Sequence, residues 1–264
     1  MSVSGIEVVW LGHATTEVHL GRTRFVTDPV LRDRVAHLRR RRGTVSLAPG
    51  PVDAVLLSHL HHDHLDLPSL RQLPPGTPLV VPRGAARLVA AAAPGDVVEM
   101  SPGDSIVVAG VRVTAVPADH RSGRGLSRAK GAPLGFVLAG DAGTVYFPGD
   151  TDLHPVMAEL PAPDVALLPI WGWGRAIGPG HLDPERAAQA AALLRARSVL
   201  PVHWGTFSPV GVRAGAPRWL DEPADRFAEA MRRHAPETTL HLVLPGADAV
   251  SIDQGADRYP RPGA

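Results

Sequence analysis

The 264-residue sequence contains no cysteine, which excludes disulfide bonds, thiolate zinc sites and a cysteine nucleophile. Aromatic residues make up only 5%, and a net charge of +1 provides no field that would attract nucleic acid or a membrane surface. No apolar run approaches the roughly 18 residues that span a bilayer, and the first residues lack a signal-peptide pattern. We therefore expect a cytoplasmic protein. Its length and 44% hydrophobic content favour a single domain over residues 1–264.

Short hydrophobic runs bounded by turn residues alternate with helical segments. Strands are predicted at residues 7–11, 15–20, 22–27, 53–57, 79–81, 105–108, 111–116, 135–139, 144–147, 164–168, 198–202 and 239–244. Helices are predicted at residues 85–93, 184 to about 197 with Asp183 as N-cap, and 224–234. Two similar halves of strands and helices indicate an α/β fold in which two sheets pack face to face with helices outside.

Residues 58–66, with the sequence SHLHHDHLD, concentrate metal-binding side chains after the hydrophobic run 55–57. Histidine and aspartate together suit zinc or a similar borderline cation. His59 and His61 alternate and can face one side, whereas Asp63 and His64 fall where the chain bends away. This arrangement suits two adjacent ions better than one. The alternative is a histidine-rich surface tract, or a local structural site, that binds metal adventitiously.

Three further polar residues, His120, Asp150 and His203, each follow a hydrophobic strand. Taken singly, each is more typical of a cap or a hydrogen-bonded loop residue. Taken together with residues 59–64, they favour a site assembled at strand ends, because a rigid scaffold there positions variable loops. Gly149 lets the backbone beside Asp150 approach closely, as a carboxylate shared by two ions requires.

These motifs resemble the metallo-β-lactamase fold superfamily, an αββα sandwich with a dinuclear metal site. The matching segments are WLGHAT at 10–15, TDP at 27–29, the cluster at 59–64, His120, GDT at 149–151 and HWGTF at 203–207. Together with GHLDPE at 180–185, they are most similar to the N-acyl-phosphatidylethanolamine phospholipase D branch. They resemble the ascorbate-6-phosphate lactonase branch more loosely.

The resemblance implies two divalent metal ions, with zinc expected and Mn²⁺ or Fe²⁺ as alternatives. It implies one ion held by His59, His61 and His120, a second held by Asp63, His64 and His203, and Asp150 as a bridge between them. A hydroxide shared by the ions would be the nucleophile, because metal binding lowers the pKa of water from about 15.7 toward 7. Asp63 and Asp150 would thus belong to the catalytic centre.

Three other polar residues are candidates for supporting roles. By resemblance, His181 is expected to hydrogen-bond the substrate oxyanion or leaving group; an exposed loop histidine is the alternative. Asp28 is expected to accept a hydrogen bond from a metal-bound imidazole, or simply to form a turn before Pro29. His13 is either a neighbour of the ligands or a satisfied core histidine. Asp66 is expected to cap the segment starting at Leu67.

Aromatic and basic residues bear on the substrate. Trp171 and Trp173, interleaved with glycines, are predicted to form a pocket wall, with core packing as the alternative. Arg121, followed by Arg124, Arg128 and Lys130, places positive charge beside His120 and favours an anionic substrate. The four arginines at 39–42 are typical of a solvated loop, although they could touch anionic lipid headgroups.

The sequence therefore predicts a dinuclear metal-dependent hydrolase that cleaves a phosphodiester or another phosphate-bearing substrate. The expected partner is a small-molecule or lipid-like anion, and nucleic acid is disfavoured because the net charge is near zero. A lactonase acting on a sugar-phosphate lactone and a non-catalytic metal-binding protein are the alternatives. Oligomeric state and peripheral membrane contact are left open.

Overall fold

The computed structural model describes residues 5–43, 46–121, 131–212 and 218–252. The strands are β1 (Ile6–Gly12), β2 (Thr15–Leu20), β3 (Thr23–Thr27), β4 (Arg34–Val35), β5 (Leu38–Arg40), β6 (Ala54–Leu56), β7 (Leu79–Pro82), β8 (Val97–Met100), β9 (Ser105–Val108), β10 (Val111–Pro117), β11 (Leu134–Gly140), β12 (Gly143–Phe147), β13 (Val165–Pro169), β14 (Ser198–Val202), β15 (Phe207–Pro209), β16 (Thr239–Leu240) and β17 (Val250–Ile252). The helices are α1 (Leu67–Leu70), α2 (Ala86–Val89), α3 (Val156–Glu159), α4 (Pro184–Leu194) and α5 (Glu222–His234), with a 3₁₀ turn at Arg218–Leu220.

Two seven-stranded sheets form the body of the fold. The first has the order β17-β1-β2-β3-β6-β7-β8, antiparallel from β17 to β3 and parallel from β3 to β8. The second has the order β16-β14-β13-β12-β11-β10-β9, antiparallel from β9 to β12 and parallel from β12 to β16. The two sheets thus repeat one pattern, and the predicted fold class is confirmed.

Alternation of side chains along β6 shows how the layers pack. Ala54 and Leu56 point into the cluster shared by both sheets, whereas Val55 and Leu57 point into a second cluster that also contains Val89 of α2. A strand with period two that is buried on both faces reads as a continuous hydrophobic run. This explains why the segment leading to residue 59 is uniformly apolar.

Element boundaries depart from the sequence prediction where a local conformation ends an element early. The helix expected at 85–93 is only the single turn of α2. Helix α4 begins after Asp183, whose side chain accepts a hydrogen bond from Arg186 N at 2.9 Å, as predicted. It ends at Leu194, because Arg195 adopts the left-handed conformation with φ 50°. Asp66 caps α1 as expected.

A third sheet, with the order β15-β5-β4, was not predicted. Its strands are two or three residues long, and β4 and β5 contain arginine, so they lack a hydrophobic pattern. It has its own apolar cluster of Val30, Val35, Leu38 and Phe207.

The arginines at 39–42 are largely engaged within the protein. Arg40 donates to the carbonyl of Val30 at 2.6 Å and its guanidinium lies 4.9 Å from the ring centroid of Phe207. Burial lowers the pKa of Arg40 to about 10. Arg41 and Arg42 both pair with Asp221, at 3.3 and 2.9 Å. These contacts fasten the third sheet to the body, and they offer no support for a contact with lipid headgroups. Within the described ranges, no helix has the length and apolar character to cross a membrane.

Gly149, the residue before Asp150, lies against Ser58 where the two sheets meet. Its φ is +62°, and a Cβ added to it would lie 2.3 Å from Cβ of Ser58. Leu134 N also donates to the carbonyl of Ser58 at 2.9 Å, which joins the two sheets at this position. The residue before Asp150 must therefore be glycine for both steric and conformational reasons.

We expect Gly149→Ala to lower the free energy of unfolding by about 1–3 kcal/mol more than Gly103→Ala, because only the first adds overpacking to an unfavourable φ. Gly103 also has a positive φ, +94°, but nothing lies within 4 Å of its added Cβ. Urea unfolding of both variants measures the difference. Equal losses would show that the contact with Ser58 is not limiting.

Candidate metal centre

Seven histidine and aspartate side chains converge where strands of both main sheets end. The segments after β6, β10, β12 and β14 contribute them: His59, His61, Asp63, His64, His120, Asp150 and His203. All seven positions singled out in the sequence thus lie in one cluster. The carboxyl ends of strands in a rigid sheet are a common place for such sites, because the scaffold fixes where each loop begins.

Three imidazoles form the first group. Nε2 of His59 lies 3.0 Å from Nδ1 of His61, which lies 3.1 Å from Nε2 of His120. Nitrogen ligands of tetrahedral zinc, each about 2.0–2.1 Å from the ion, are separated from one another by about 3.3 Å. The observed separations are close to that value, so the three nitrogens surround a space that fits a divalent cation.

The second group lies on the other side of Asp150. Nε2 of His64 is 3.1 Å from Nε2 of His203, and donor atoms of these residues lie within 4.8 Å of donor atoms of Asp63 and His13. This group mixes carboxylate and imidazole donors, whereas the first contains imidazoles alone. Both donor sets suit a borderline cation.

Asp150 lies between the two groups. Its Oδ2 is 3.2 Å from Nε2 of His64 and 3.9 Å from Nε2 of His59, and its Oδ1 is 3.1 Å from Nε2 of His203. Oδ1 is buried, yet no donor reaches it with hydrogen-bonding geometry. A buried carboxylate oxygen without a partner is costly, and a cation would satisfy it. The cluster therefore fits bound metal.

Outer hydrogen bonds fix the tautomer of three of these histidines. Nδ1 of His120 donates to the carbonyl of Gly180, Nδ1 of His203 to the carbonyl of Trp171, and Nδ1 of His64 to Oδ2 of Asp28, each at 2.7 Å. In the neutral form of each ring, Nε2 then carries the lone pair that faces the cluster. Such outer partners are typical of metal-ligating histidines.

Asp28 and Ser58 extend this support to His59. Ser58 Oγ donates to Asp28 Oδ2 at 2.5 Å and lies 3.0 Å from Nδ1 of His59, from which it can then accept. Ser58 N also donates to Asp28 Oδ1 at 2.7 Å. Asp28 thus contacts one imidazole directly and reaches another through a hydroxyl. The sequence did not identify Ser58 as a site residue; only its position between the strand and His59 hints at this role.

Burial keeps most of the imidazoles neutral. It lowers the pKa of His61 to about 4 and of His203 to about 3, and holds the pKa of His59 well below its ordinary value. Burial opposes charge on His64 too, but the carboxylates of Asp150 and Asp28 outweigh it and raise its pKa well above the usual value. Neutral imidazoles are the form that binds metal.

Both aspartates of the cluster are ionised. Burial opposes ionisation of each, yet neighbouring imidazoles hold both pKa values well below the usual range: His203 and His64 for Asp150, and chiefly His13 for Asp63. Ionised carboxylates are the form that binds a cation.

His13 touches this cluster from the core side. Its Nε2 lies 3.0 Å from Asp63 Oδ2, and its ring lies 3.8 Å from that of His203 between centroids. Its backbone N–H donates to Thr206 Oγ1 at 2.7 Å, and its φ is 53°. Burial lowers its pKa. Of the two alternatives raised by the sequence, the structure places His13 as a neighbour of the cluster.

His181 approaches from the solvent side. Its Nε2 is 3.4 Å from Asp150 Oδ2, Nδ1 faces the carbonyl of Gly178 at 3.1 Å, and its side chain is 25% exposed. Burial opposes a charge on His181, but Asp150 outweighs it and raises the pKa. A histidine that keeps a proton and faces an open space can donate it to a bound molecule.

A cavity of about 420 Å³ opens over the cluster. Residues on one wall belong to the third sheet and its turn, and residues on the other to the loop after β13. Its lining residues are Val35, Ala36, His37, Leu38, His61, His62, Asp63, Asp150, Gly172, Trp173, Gly174, Ala176, Ile177, Gly178, His181 and His203. None of these described residues is lysine or arginine, and His37 was not singled out in the sequence.

The remaining sequence candidates differ in their relation to this cavity. Trp173 lines it, as predicted. Trp171 does not: it packs on the main core and donates to the carbonyl of Gly174 at 3.1 Å. Arg121 is exposed and does not line the cavity. Arg124, Arg128 and Lys130 lie outside the described residues.

Comparison with known proteins agrees with this geometry. The family described as Beta-lactamase superfamily domain matches residues 23–204. A UPF0173 metal-dependent hydrolase of Nitratidesulfovibrio vulgaris (strain DP4) is 33% identical over 259 residues, covering 95% of this chain and 97% of the relative. An N-acyl-phosphatidylethanolamine-hydrolyzing phospholipase D of Caenorhabditis elegans is 31% identical over 286 residues, covering 97% of this chain and 78% of the relative.

A solved structure is similar over nearly the whole chain. Igni18, a metallo hydrolase of Ignicoccus hospitalis, matches with a TM-score of 0.72 at 23% identity, covering 94% of this chain and 99% of the other. At that identity the likeness concerns the fold, and the sequence relatives establish the family. The protein belongs to the metallo-β-lactamase superfamily, as a metal-dependent hydrolase.

Proposed function

We propose that this hydrolase binds two ions, zinc in the first instance, and cleaves a phosphodiester with an apolar substituent. The observation that carries the dinuclear part is Asp150, whose carboxylate lies between two groups of donors and has a buried oxygen without a hydrogen bond. A carboxylate in that position can bridge two cations. One cation alone would leave one of the two donor groups without a partner.

The proposed ligands follow the two groups. His59, His61 and His120 hold one ion, Asp63, His64 and His203 hold the other, and Asp150 bridges them. The hydrogen bonds made by Nδ1 of His64, His120 and His203 support this assignment, because in each neutral ring they leave Nε2 free to bind a metal ion. Mn²⁺ and Fe²⁺ fit the same donors.

When bound, the ion pair supplies an activated water and stabilises negative charge on the phosphoryl oxygens. The protein's own groups do the rest. Asp28, directly and through Ser58, holds His64 and His59 in orientation. His181 is placed to donate its Nε2 proton to the departing oxygen, since that atom faces both Asp150 and the cavity. The cavity walls exclude bulk water from the substrate's substituent.

The chemistry of the cavity supports the substrate class. Val35, Leu38, Trp173 and Ile177 give it an apolar lining, and its described residues include no lysine or arginine. A phosphodiester carries one negative charge, shared by the non-bridging oxygens of the reacting phosphoryl group, where the metals would neutralise it. An apolar substituent would then fill the rest. The phospholipase D relative has a name that describes such a substrate, a lipid phosphodiester.

A lactonase is the second candidate, because the same metal-activated water can open a cyclic ester. A sugar-phosphate lactone, however, carries its phosphate away from the reacting carbonyl. That dianion calls for a cation or a cluster of N–H donors at a distance from the metals. The apolar side chains that line the cavity, Val35, Leu38, Trp173 and Ile177, match an apolar substituent better than a dianion, which favours the phosphodiester.

Removing the bridging group should dismantle the site. We expect Asp150→Ala to lose at least one of two metal equivalents and most activity, because neither ion retains the shared carboxylate. Elemental analysis and turnover of bis(p-nitrophenyl) phosphate measure both. Asp225→Ala, which removes an exposed carboxylate from α5, is the control. Near-native turnover with two metals in the Asp150 variant would contradict the bridge.

Removing His181 should impair the chemistry and spare the metals. We expect His181→Ala to keep both equivalents and to lose about 10²–10⁴-fold in kcat on an alkyl phosphodiester, the range typical of general acids. The loss should be much smaller with p-nitrophenolate as leaving group, since that group departs without a proton. His19→Ala is a control of similar exposure, 27% against 25%. Equal losses on both substrates would exclude the proposed role.

The two candidate activities separate in one comparison. With zinc bound, we expect turnover of phosphodiesters to exceed turnover of a sugar-phosphate lactone, and to rise as an apolar substituent is lengthened. Steady-state kcat/KM on both series measures this. A preference for the lactone would select the second candidate, and tight metal binding without hydrolysis in either series would indicate a non-catalytic protein.

A further inference from the structure

The indole of Trp173 belongs both to the cavity wall and to the metal cluster. Its ring lines the cavity, while its Nε1 donates to Oδ2 of Asp63 at 3.0 Å. Among the described residues that line the cavity, several touch the cluster because they are themselves candidate ligands. Trp173 is different: an indole N–H is a donor only and cannot bind a cation. Its contact with Asp63 must therefore act through the carboxylate.

Two donors meet on the same oxygen of Asp63. His13 Nε2 approaches Oδ2 at 3.0 Å from the core side, and Trp173 Nε1 approaches it at the same distance from the cavity side. Since a carboxylate oxygen has two lone pairs, these donors fill Oδ2, and the oxygen left for a cation is Oδ1. The pair of donors thus fixes which way the carboxylate faces.

The two donors are held by different contacts. His13 is buried, and its backbone is fixed by bonds to Thr206 and from His203 N to its own carbonyl, at 2.7 and 2.9 Å. Trp173 is held by the third sheet, where it packs on the apolar cluster that includes Val35 and Leu38. Its ring also meets His37 edge-on, with centroids 4.7 Å apart. The position of the cavity wall therefore sets the position of the indole N–H.

We propose that Trp173 is a positioning residue that orients Asp63 for one of the two ions and thereby joins the third sheet to the metal site. This rests on the proposed role of Asp63 as a ligand. The indole N–H orients Asp63, and the ring forms part of the cavity wall. Hydrogen bonds to ligating carboxylates commonly influence metal affinity in this way.

Removing the N–H while keeping a ring tests the first half. We expect Trp173→Phe to weaken one of two zinc equivalents by about 10–100-fold, the usual cost of losing such a partner. The other equivalent should keep its affinity. Competition with a chromophoric chelator measures each step with zinc alone. Activity should recover toward the wild-type kcat at excess zinc, with KM for an apolar phosphodiester nearly unchanged. Trp173→Ala should raise KM as well.

Trp171→Phe is the matched control for metal affinity. It removes an indole N–H from the same loop, and that N–H is bonded to the carbonyl of Gly174 and not to a ligand. The substitution keeps the backbone carbonyl of residue 171, which accepts from His203. If both substitutions weaken zinc equally, Trp173 acts only by stiffening the loop, and the proposal is wrong. Unchanged zinc affinities in Trp173→Phe would overturn it too.

A measurement on the unsubstituted protein covers the case in which the variant misfolds. The Nε1–H resonance of Trp173, assigned in a ¹⁵N-labelled sample, should be protected from exchange and should shift as zinc is added. If this N–H exchanged rapidly with solvent and its chemical shift did not change as zinc was added, the bond to Asp63 would be excluded. Failure of the function itself is distinguishable, since the wild-type protein would then not bind two zinc ions.

Discussion

The buried carboxylate of Asp28 is the constraint on which the site depends. It is fully inaccessible, and it receives N–H and O–H groups from Ser58 together with Nδ1 of His64. A charge at such depth is tolerated only when every oxygen has a hydrogen-bond partner. Here the partners are the candidate ligand His64 and Ser58, which contacts the candidate ligand His59. The same bonds that stabilise the carboxylate therefore fix the imidazoles. The hydrogen bonds that stabilise Asp28 thus also orient the site.

Much of this arrangement was readable from residue types. The seven donors, the α4 cap at Asp183 and the sandwich of two sheets follow from hydrophobic period and spacing, since residues at strand ends converge when the two packed sheets bring those ends together. The third sheet was not readable, because strands as short as β4 and β5 carry no period and depend on Arg40 bonding to carbonyls and packing on Phe207. Ser58 escaped because a lone serine has no distinguishing pattern until its partner Asp28, thirty positions away, is known.

The aromatic and basic candidates show that the spacing of residues in the sequence does not predict the direction in which loop side chains point. Trp171 and Trp173 are two residues apart in the same glycine-rich loop, yet one packs on the core and the other faces the cavity. The four arginines at 39–42 were expected to form a solvated loop, but three of them, Arg40, Arg41 and Arg42, bind a carbonyl or Asp221. Long cationic side chains bury their stems and find acceptors within the fold, so a run of like charge need not face solvent as a unit.

The third sheet is separate from the two sheets whose strands lead to the metal cluster, although its residues line one wall of the cavity. Its apolar cluster is small and its own, and none of the seven donors comes from its strands. Replacing or lengthening the β4–β5 hairpin would thus reshape the cavity without removing any of the seven donors, provided the indole of Trp173 keeps its contact with Asp63. A hydrolase divided in this way is readily adapted to new substrates, and the hairpin is where redesign of its selectivity should begin.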